Sequence, residues 1–183
     1  MGVEGLATLL SPSVDCGDAT RDEPRSCIST LTFSDSVVIN APATVLYDMV
    51  ADVTRMGEWS PICVACWWDE GDGPSVGSWF SGQNVTPERT WQTRSLVVTA
   101  ERGREFAFVV NDAYVQWRYH FDEGDGATHL TESWEFLEAG LAYFRERFGD
   151  EADERIAART RDAREGIPLT LARIKATVEN AAH

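Results

Sequence analysis

Two residues in the second half of the chain combine acid–base chemistry with an apolar setting. Glu132 lies in HLTESWEF, where alternation puts it on one face with Leu130, Trp134 and Phe136, opposite His129, Thr131, Ser133 and Glu135. Tyr119 lies in YVQWRYHF, on a face with Val115, Trp117 and Phe121, opposite Gln116, Arg118 and His120. Successive side chains of a strand point to opposite sides, so each segment reads as a strand with one buried face. A carboxyl group on such a face is desolvated, and burial raises its pKa because it disfavours the charged form. Glu132 can then act as a general acid or base in enolisation and dehydration, or hold a ligand hydroxyl. Glu132 and Tyr119 are the candidate proton-transfer groups, and the residues alone do not choose between catalysis and binding. Arg94, in TWQTRSLVV, shares a face with Leu96 and Val98 and is expected inward, as a partner that neutralises Glu132.

Other reactive side chains point to less. Cys63 and Cys66 form one C-x-x-C inside ICVACWW, which reads as a strand. On a strand this spacing sends the two thiols to opposite faces, so they are expected to be structural and unable to clasp one metal. No second pair or nearby histidine completes a zinc set, and neither metal nor cofactor is expected. Cys16 and Cys27 lie in a polar stretch and would pair only in an oxidising compartment. His120 and His129 fall on the outer faces of their strands as expected cross-strand neighbours, His183 ends the chain, and no Ser or Cys nucleophile with an acid partner accompanies them. Gly71-Asp72-Gly73 and Gly124-Asp125-Gly126 are turns without the strand-to-helix context of a phosphate loop.

The elements that must position these groups follow from periodicity. A first strand is expected over 33–39, then a helix over 41–53 entered through Asn40 as N-cap and Pro42 in the first turn, with Val45, Leu46, Met49, Val50 and Val53 as its stripe. A turn or single short helical piece follows over 56–60, between Gly57 and Pro61. Six strands come next, over 62–69, 76–84, 90–100, 105–111, 114–121 and 128–137, with separators short enough for an antiparallel meander. The last two form a hairpin around the glycine-rich loop 122–126. Beyond Leu137 the chain turns helical: Leu141, Phe144 and Phe148 are spaced for one face, and Leu171, Ile174 and Val178 for another, with Pro168 starting or kinking the final helix. Residues 1–31 show no sustained period and read as a flexible or weakly ordered extension, leaving 32–183 as a single domain.

Charge narrows the partners. Sixteen basic residues against thirty acidic give a formal net charge of −14. That balance argues against sequence-independent binding to nucleic acid or to an anionic membrane, both of which require Lys and Arg. No window approaches the ~18 consecutive apolar residues of a spanning helix, and the N-terminus does not read as a secretory signal. A cytoplasmic protein, monomer or homodimer, without membrane insertion, is the default.

Four segments, in order, resemble a known family. VVINAPATVLYDMVADVTRMGEWSP is similar to the opening of SRPBCC proteins, the START and birch-pollen-allergen superfamily, and is closest to the bacterial polyketide cyclase/dehydrase branch, whose first helix ends in an Asp followed by Trp-Ser/Asn-Pro, here Asp52 through Trp59-Ser60-Pro61. ERGREFAFVV resembles its turn and strand after the fourth strand, WRYHF with THLTESWEF its last hairpin, and GIPLTLARIKATVE its closing helix. The resemblance spans residues 33–183. It implies an α+β helix-grip fold, with a curved antiparallel sheet of about seven strands wrapped around a long C-terminal helix and two short helices after the first strand. It also implies a cavity for lipids, sterols, polyketides or other flat apolar molecules, without implying one activity.

The aromatic residues fit that implication. Tyr47, Trp59, Trp67 or Trp68, Trp79, Phe106, Phe108, Trp117, Tyr119 and Trp134 are large rigid rings that serve equally as core or as pocket wall. The leading expectation is a small apolar ligand held between sheet and helix, oriented by Glu132, Arg94 and Tyr119. A polyketide cyclase, aromatase or dehydratase using the same pocket, and a protein-interaction module using residues 139–166, are the alternatives.

Overall fold

The alternating segments pair in the order in which they are written. The computed structural model describes residues 31–71, 73–111 and 113–181. Strand β1 (Leu31–Ile39) leads into helix α1 (Ala43–Ala51) and a short 3-10 helix, Val53–Glu58. Strands β2 (Cys63–Trp68), β3 (Trp79–Thr86), β4 (Arg89–Glu101), β5 (Glu105–Val110), β6 (Val115–Gly124) and β7 (Ala127–Phe136) follow. Helix α2 (Glu138–Phe148) and helix α3 (Ala152–Ala181) close the chain. All neighbouring strands are antiparallel, in the order β1-β7-β6-β5-β4-β3-β2. This is the α+β helix-grip architecture: a seven-stranded curved sheet with the long helix α3 against its inner face. The expected extension, residues 1–31, lies outside the described residues apart from Leu31, as do Cys16, Cys27 and His183.

Local chemistry explains the turns and ends. The β6–β7 hairpin closes on Asp125 and Gly126, with φ of 52° and 78°, the paired positive angles of a type I′ turn. That turn matches the right-handed twist of the flanking strands, so it fixes the register in which Tyr119 faces Glu132. His120 and His129 are exposed as expected but stand opposite Thr131 and Asp122, hence diagonal to each other. Helix α1 starts two residues later than the sequence suggests. Its cap is Pro42, and no side chain of the entry segment caps it. Instead the backbone N–H of Ala43 donates to Glu123 Oε2 at 2.7 Å, a carboxylate from β6 meeting the positive end of the helix.

Helix α3 runs through Pro168 rather than starting there. Ile156, Ala163, Ile167, Leu171 and Ile174 are buried along one stripe and carry the helix across the missing N–H bond. Burying each such aliphatic side chain contributes ~1.5–3 kcal/mol. Among the described residues no helix is long and apolar enough to cross a membrane.

Candidate functional site

The inner face of β5, β6 and β7 is aromatic around one carboxyl group. Register pairs Tyr119 with Glu132, Trp117 with Trp134 and Phe121 with Leu130, and it sets Phe106 and Phe108 of β5 opposite Tyr119 and Trp117. Tyr47, from α1, meets Phe106 and Phe121 edge-on at centroid separations of 6.2 and 5.7 Å. Tyr47, Trp59, Phe108, Tyr119 and Trp134 are all buried, and Trp117 is half-buried against them. These expected site residues therefore lie on the protein interior. Trp68 packs inward on Phe80, while Trp67 is exposed.

Glu132 is 2 % exposed. The Tyr119 hydroxyl donates to its Oε1 at 2.9 Å, and its Oε2 has no hydrogen-bond partner among the described residues. Burial pushes the Glu132 pKa up to about 8, against the opposing effect of the Tyr119 hydrogen bond. At neutral pH the site holds a neutral carboxylic acid with an unused O–H. Tyr119 is held well above its ordinary value, first by burial and then by the neighbouring carboxyl group. Trp59, 1 % exposed, also has an indole N–H without a partner among the described residues. Buried polar groups left unpaired are rare in folded proteins.

Arg94 does not neutralise Glu132. It stands on the outer face of β4, bonded to Asp69 at 2.6 Å and stacked over Trp79 with its guanidinium 4.3 Å from the ring centroid. Trp79 shares that outer face and is not part of the interior. The inward residues of these strands are Phe80, Gly82 and Asn84 on β3 and Ser95 and Val97 on β4. Apolar residues on both faces of β4 made the alternation readable either way: Leu96 and Val98 look out, whereas Val97 looks in. Sequence reasoning therefore missed Asn84 and Ser95, which give this half of the interior a polar character. Asn84 donates to Thr93 Oγ1 at 3.2 Å. The signal for Asn84 was the FSGQN alternation, in which Phe80 marks the inner face; Ser95 is opposite Phe80 only through the β3–β4 register.

The two cysteines also depart from expectation. A β-bulge between Cys63 and Ala65 adds one residue to β2, so Val64 and Ala65 both look outward and both thiols look inward. Their sulfurs are 3.2 Å apart. Among the described residues no group of three or more His, Cys, Asp or Glu side chains could hold a metal.

Two surface depressions accompany the site. One, of about 360 Å³, lies between Leu31 and residues such as Ile156, Thr160 and Arg164 of α3. The other, of about 380 Å³, lies outside the sheet beside Asp69, Trp79 and Arg94. Neither is lined by Glu132 or Tyr119, around which the aromatic side chains close. At the end of the inner face, Trp91 opposes Asn84 and lies beneath two guanidinium groups, Arg89 at 4.0 Å and Arg159 at 5.8 Å.

Comparison with known proteins agrees with this architecture. The family model described as polyketide cyclase / dehydrase and lipid transport matches residues 30–179. No curated protein matches the chain. The solution structure of the Polyketide_cyc-like protein Cgl2372 from Corynebacterium glutamicum is 49 % identical, with 84 % of this chain and 94 % of that one covered and a TM-score of 0.64. Protein NE0264 from Nitrosomonas europaea shares the fold at 10 % identity, with 82 % and 96 % covered and a TM-score of 0.62. The di-domain ARO/CYC BexL from the BE-7585A biosynthetic pathway shares it at 23 % identity, with 80 % of this chain, 49 % of that one and a TM-score of 0.56. The match along nearly the whole described chain, together with the helix-grip sheet, shows that the chain belongs to the polyketide cyclase/dehydrase and lipid transport family.

Proposed function

We propose that the protein binds a small, largely apolar molecule between the inner face of its sheet and α3, with protonated Glu132 as polar anchor. One observation carries this reading: a buried carboxyl group whose Oε1 is held by Tyr119 and whose Oε2 has no partner among the described residues. An unsatisfied buried polar group costs ~1–3 kcal/mol, which a ligand carbonyl or hydroxyl would recover. The surrounding rings supply affinity through apolar burial at ~25 cal/mol per Å². The family description, which joins lipid transport to cyclase and dehydrase chemistry, supports a ligand of this class. Arg89 and Arg159 about Trp91 suit an acidic group at the ligand's far end. Because the rings close around Glu132, entry requires side chains or helices to part, and the bound form differs from the present one.

A second reading has the same group catalyse cyclisation or dehydration. Its support is the Glu132 pKa of about 8 beside the Tyr119 hydroxyl, which suits proton exchange near neutral pH. Native mass spectrometry of freshly purified full-length protein tests binding: a co-purifying apolar adduct is expected, retained in Glu132→Gln and weakened in Glu132→Leu. A protein that is empty and also fails to bind a hydrophobic dye would exclude the binding reading. With an acyl substrate in hand, Glu132→Gln should bind it but not turn it over, since an amide cannot exchange the proton. Full turnover by that variant removes Glu132 as a catalyst.

A further inference from the structure

We propose that Cys63 and Cys66 are a redox-active dithiol that closes to an intramolecular disulfide on reaction with a small hydroperoxide. Three features of the fold bring the thiols together. The bulge in β2 turns both inward, where an unbroken strand would separate them. Gly82 stands directly opposite Cys66 in the ladder, and a Cβ there would lie 3.0 Å from Cys66 Sγ and 3.4 Å from Cys63 Sγ. The glycine thus leaves room for two sulfurs in contact. Met56, from the 3-10 helix, covers the pair, with its Sδ 3.7 Å from Cys66 Sγ.

The sulfurs sit closer than a shared metal would hold them. Two thiolates on a tetrahedral ion with ~2.3 Å bonds stand roughly 3.7 Å apart, against 3.2 Å here. A disulfide needs ~2.05 Å, so the two facing sulfurs have roughly 1 Å left to close. The two cysteines are not equivalent. The hydrogen bond from Cys66 favours the Cys63 thiolate and lowers its pKa, and the same bond with burial pushes the Cys66 thiol up. Cys63 is therefore the attacking sulfur and Cys66 the resolving one. Both residues are nearly buried, 6 % and 8 % exposed, on the edge strand of the sheet, so only a small oxidant is proposed to reach them.

The step balances as follows. The Cys63 thiolate attacks the terminal peroxide oxygen and breaks the O–O bond, leaving Cys63 as a sulfenic acid; the departing alkoxide, or hydroxide from hydrogen peroxide, takes up the proton released when the Cys63 thiol ionised and leaves as an alcohol or water. Cys66 sulfur then attacks Cys63 sulfur; its proton leaves with the departing hydroxide as water. Two thiols and one hydroperoxide give one disulfide, one alcohol and one water: sulfur is oxidised and peroxide oxygen reduced.

The test uses the full chain carrying Cys16→Ser and Cys27→Ser, treated with hydrogen peroxide under native conditions. The peptide containing both cysteines should lose two hydrogens in mass, resist alkylation, and recover both properties on reduction with dithiothreitol. In Cys66→Ser the sulfenic acid should persist at Cys63 and be trapped by dimedone, while Cys63→Ser should leave Cys66 unreacted. Circular dichroism confirms that each variant is folded. The proposal is overturned if both thiols stay alkylatable in the treated wild-type pair, if the disulfide forms only after denaturation, or if the pair resists oxidation because it holds stoichiometric zinc or copper(I).

Discussion

Tyr119 and Glu132 face each other across the β6–β7 ladder, and the tyrosine hydroxyl donates to the carboxyl at 2.9 Å in a site closed to solvent. The pair is half satisfied: one carboxyl oxygen is engaged and the other is not. A neutral acid with a spare donor is the most distinctive chemical feature of the interior, and the first two predictions follow from it.

Glu132→Gln should change how stability depends on pH. The folded state keeps the Glu132 proton up to about pH 8, whereas the unfolded chain releases it near 4.5. Between those values the folded state binds the extra proton, so wild-type stability falls as pH rises, by roughly 1 kcal/mol per pH unit, and levels off above about 8. The glutamine variant lacks this fall, so it should gain on wild type across the window. Urea unfolding at several pH values measures the difference; parallel curves would contradict the burial of a neutral acid.

Tyr119→Phe removes the one hydrogen bond to the carboxyl group among the described residues. Because that bond lowers the Glu132 pKa, its loss should raise the pKa further above about 8. Stability should drop by ~1–3 kcal/mol, the cost of leaving a buried polar group unpaired. Carbon-13 NMR titration of labelled glutamate reads the pKa shift directly.

Gly82→Ala should destabilise by ~1–3 kcal/mol through overpacking, since the added methyl meets Cys66 sulfur at 3.0 Å. Adding Cys66→Ala should recover much of that loss. Denaturant unfolding of the two single variants and the double gives the coupling, and additive effects would show that the sulfur and the glycine do not share the space.

Arg94→Ala should be nearly silent. The side chain is 58 % exposed and pairs with Asp69 at the surface, an interaction of ~0–1 kcal/mol. Thermal unfolding should shift little, and binding of an apolar probe should match wild type. A large loss of binding would return Arg94 to the interior.

The hairpin that carries the pair was legible because each strand has one face of large apolar residues and one of polar ones. That alternation puts Tyr119, Trp117 and Trp134 on the inner face, where the structure has them, and Asp125-Gly126 announces the turn. Strands β3 and β4 were harder. Trp79 and Leu96 on one face compete with Phe80 and Val97 on the other, so Arg94 could be assigned to either side. In β2 a single extra residue reversed the relation of two cysteines, and no periodicity reports a bulge.

The order of elements and the carboxyl group among aromatic rings are legible in the sequence through side-chain alternation and turn chemistry, which are local; the helix-grip class came from the resemblance to a family. Tertiary structure alone decided that Arg94 serves Asp69 rather than Glu132, that Glu123 caps α1 from 80 residues away, and that Cys63 and Cys66 touch. Each depends on which face a neighbouring strand presents and on backbone irregularities that shift register, and both are fixed only when distant segments pack.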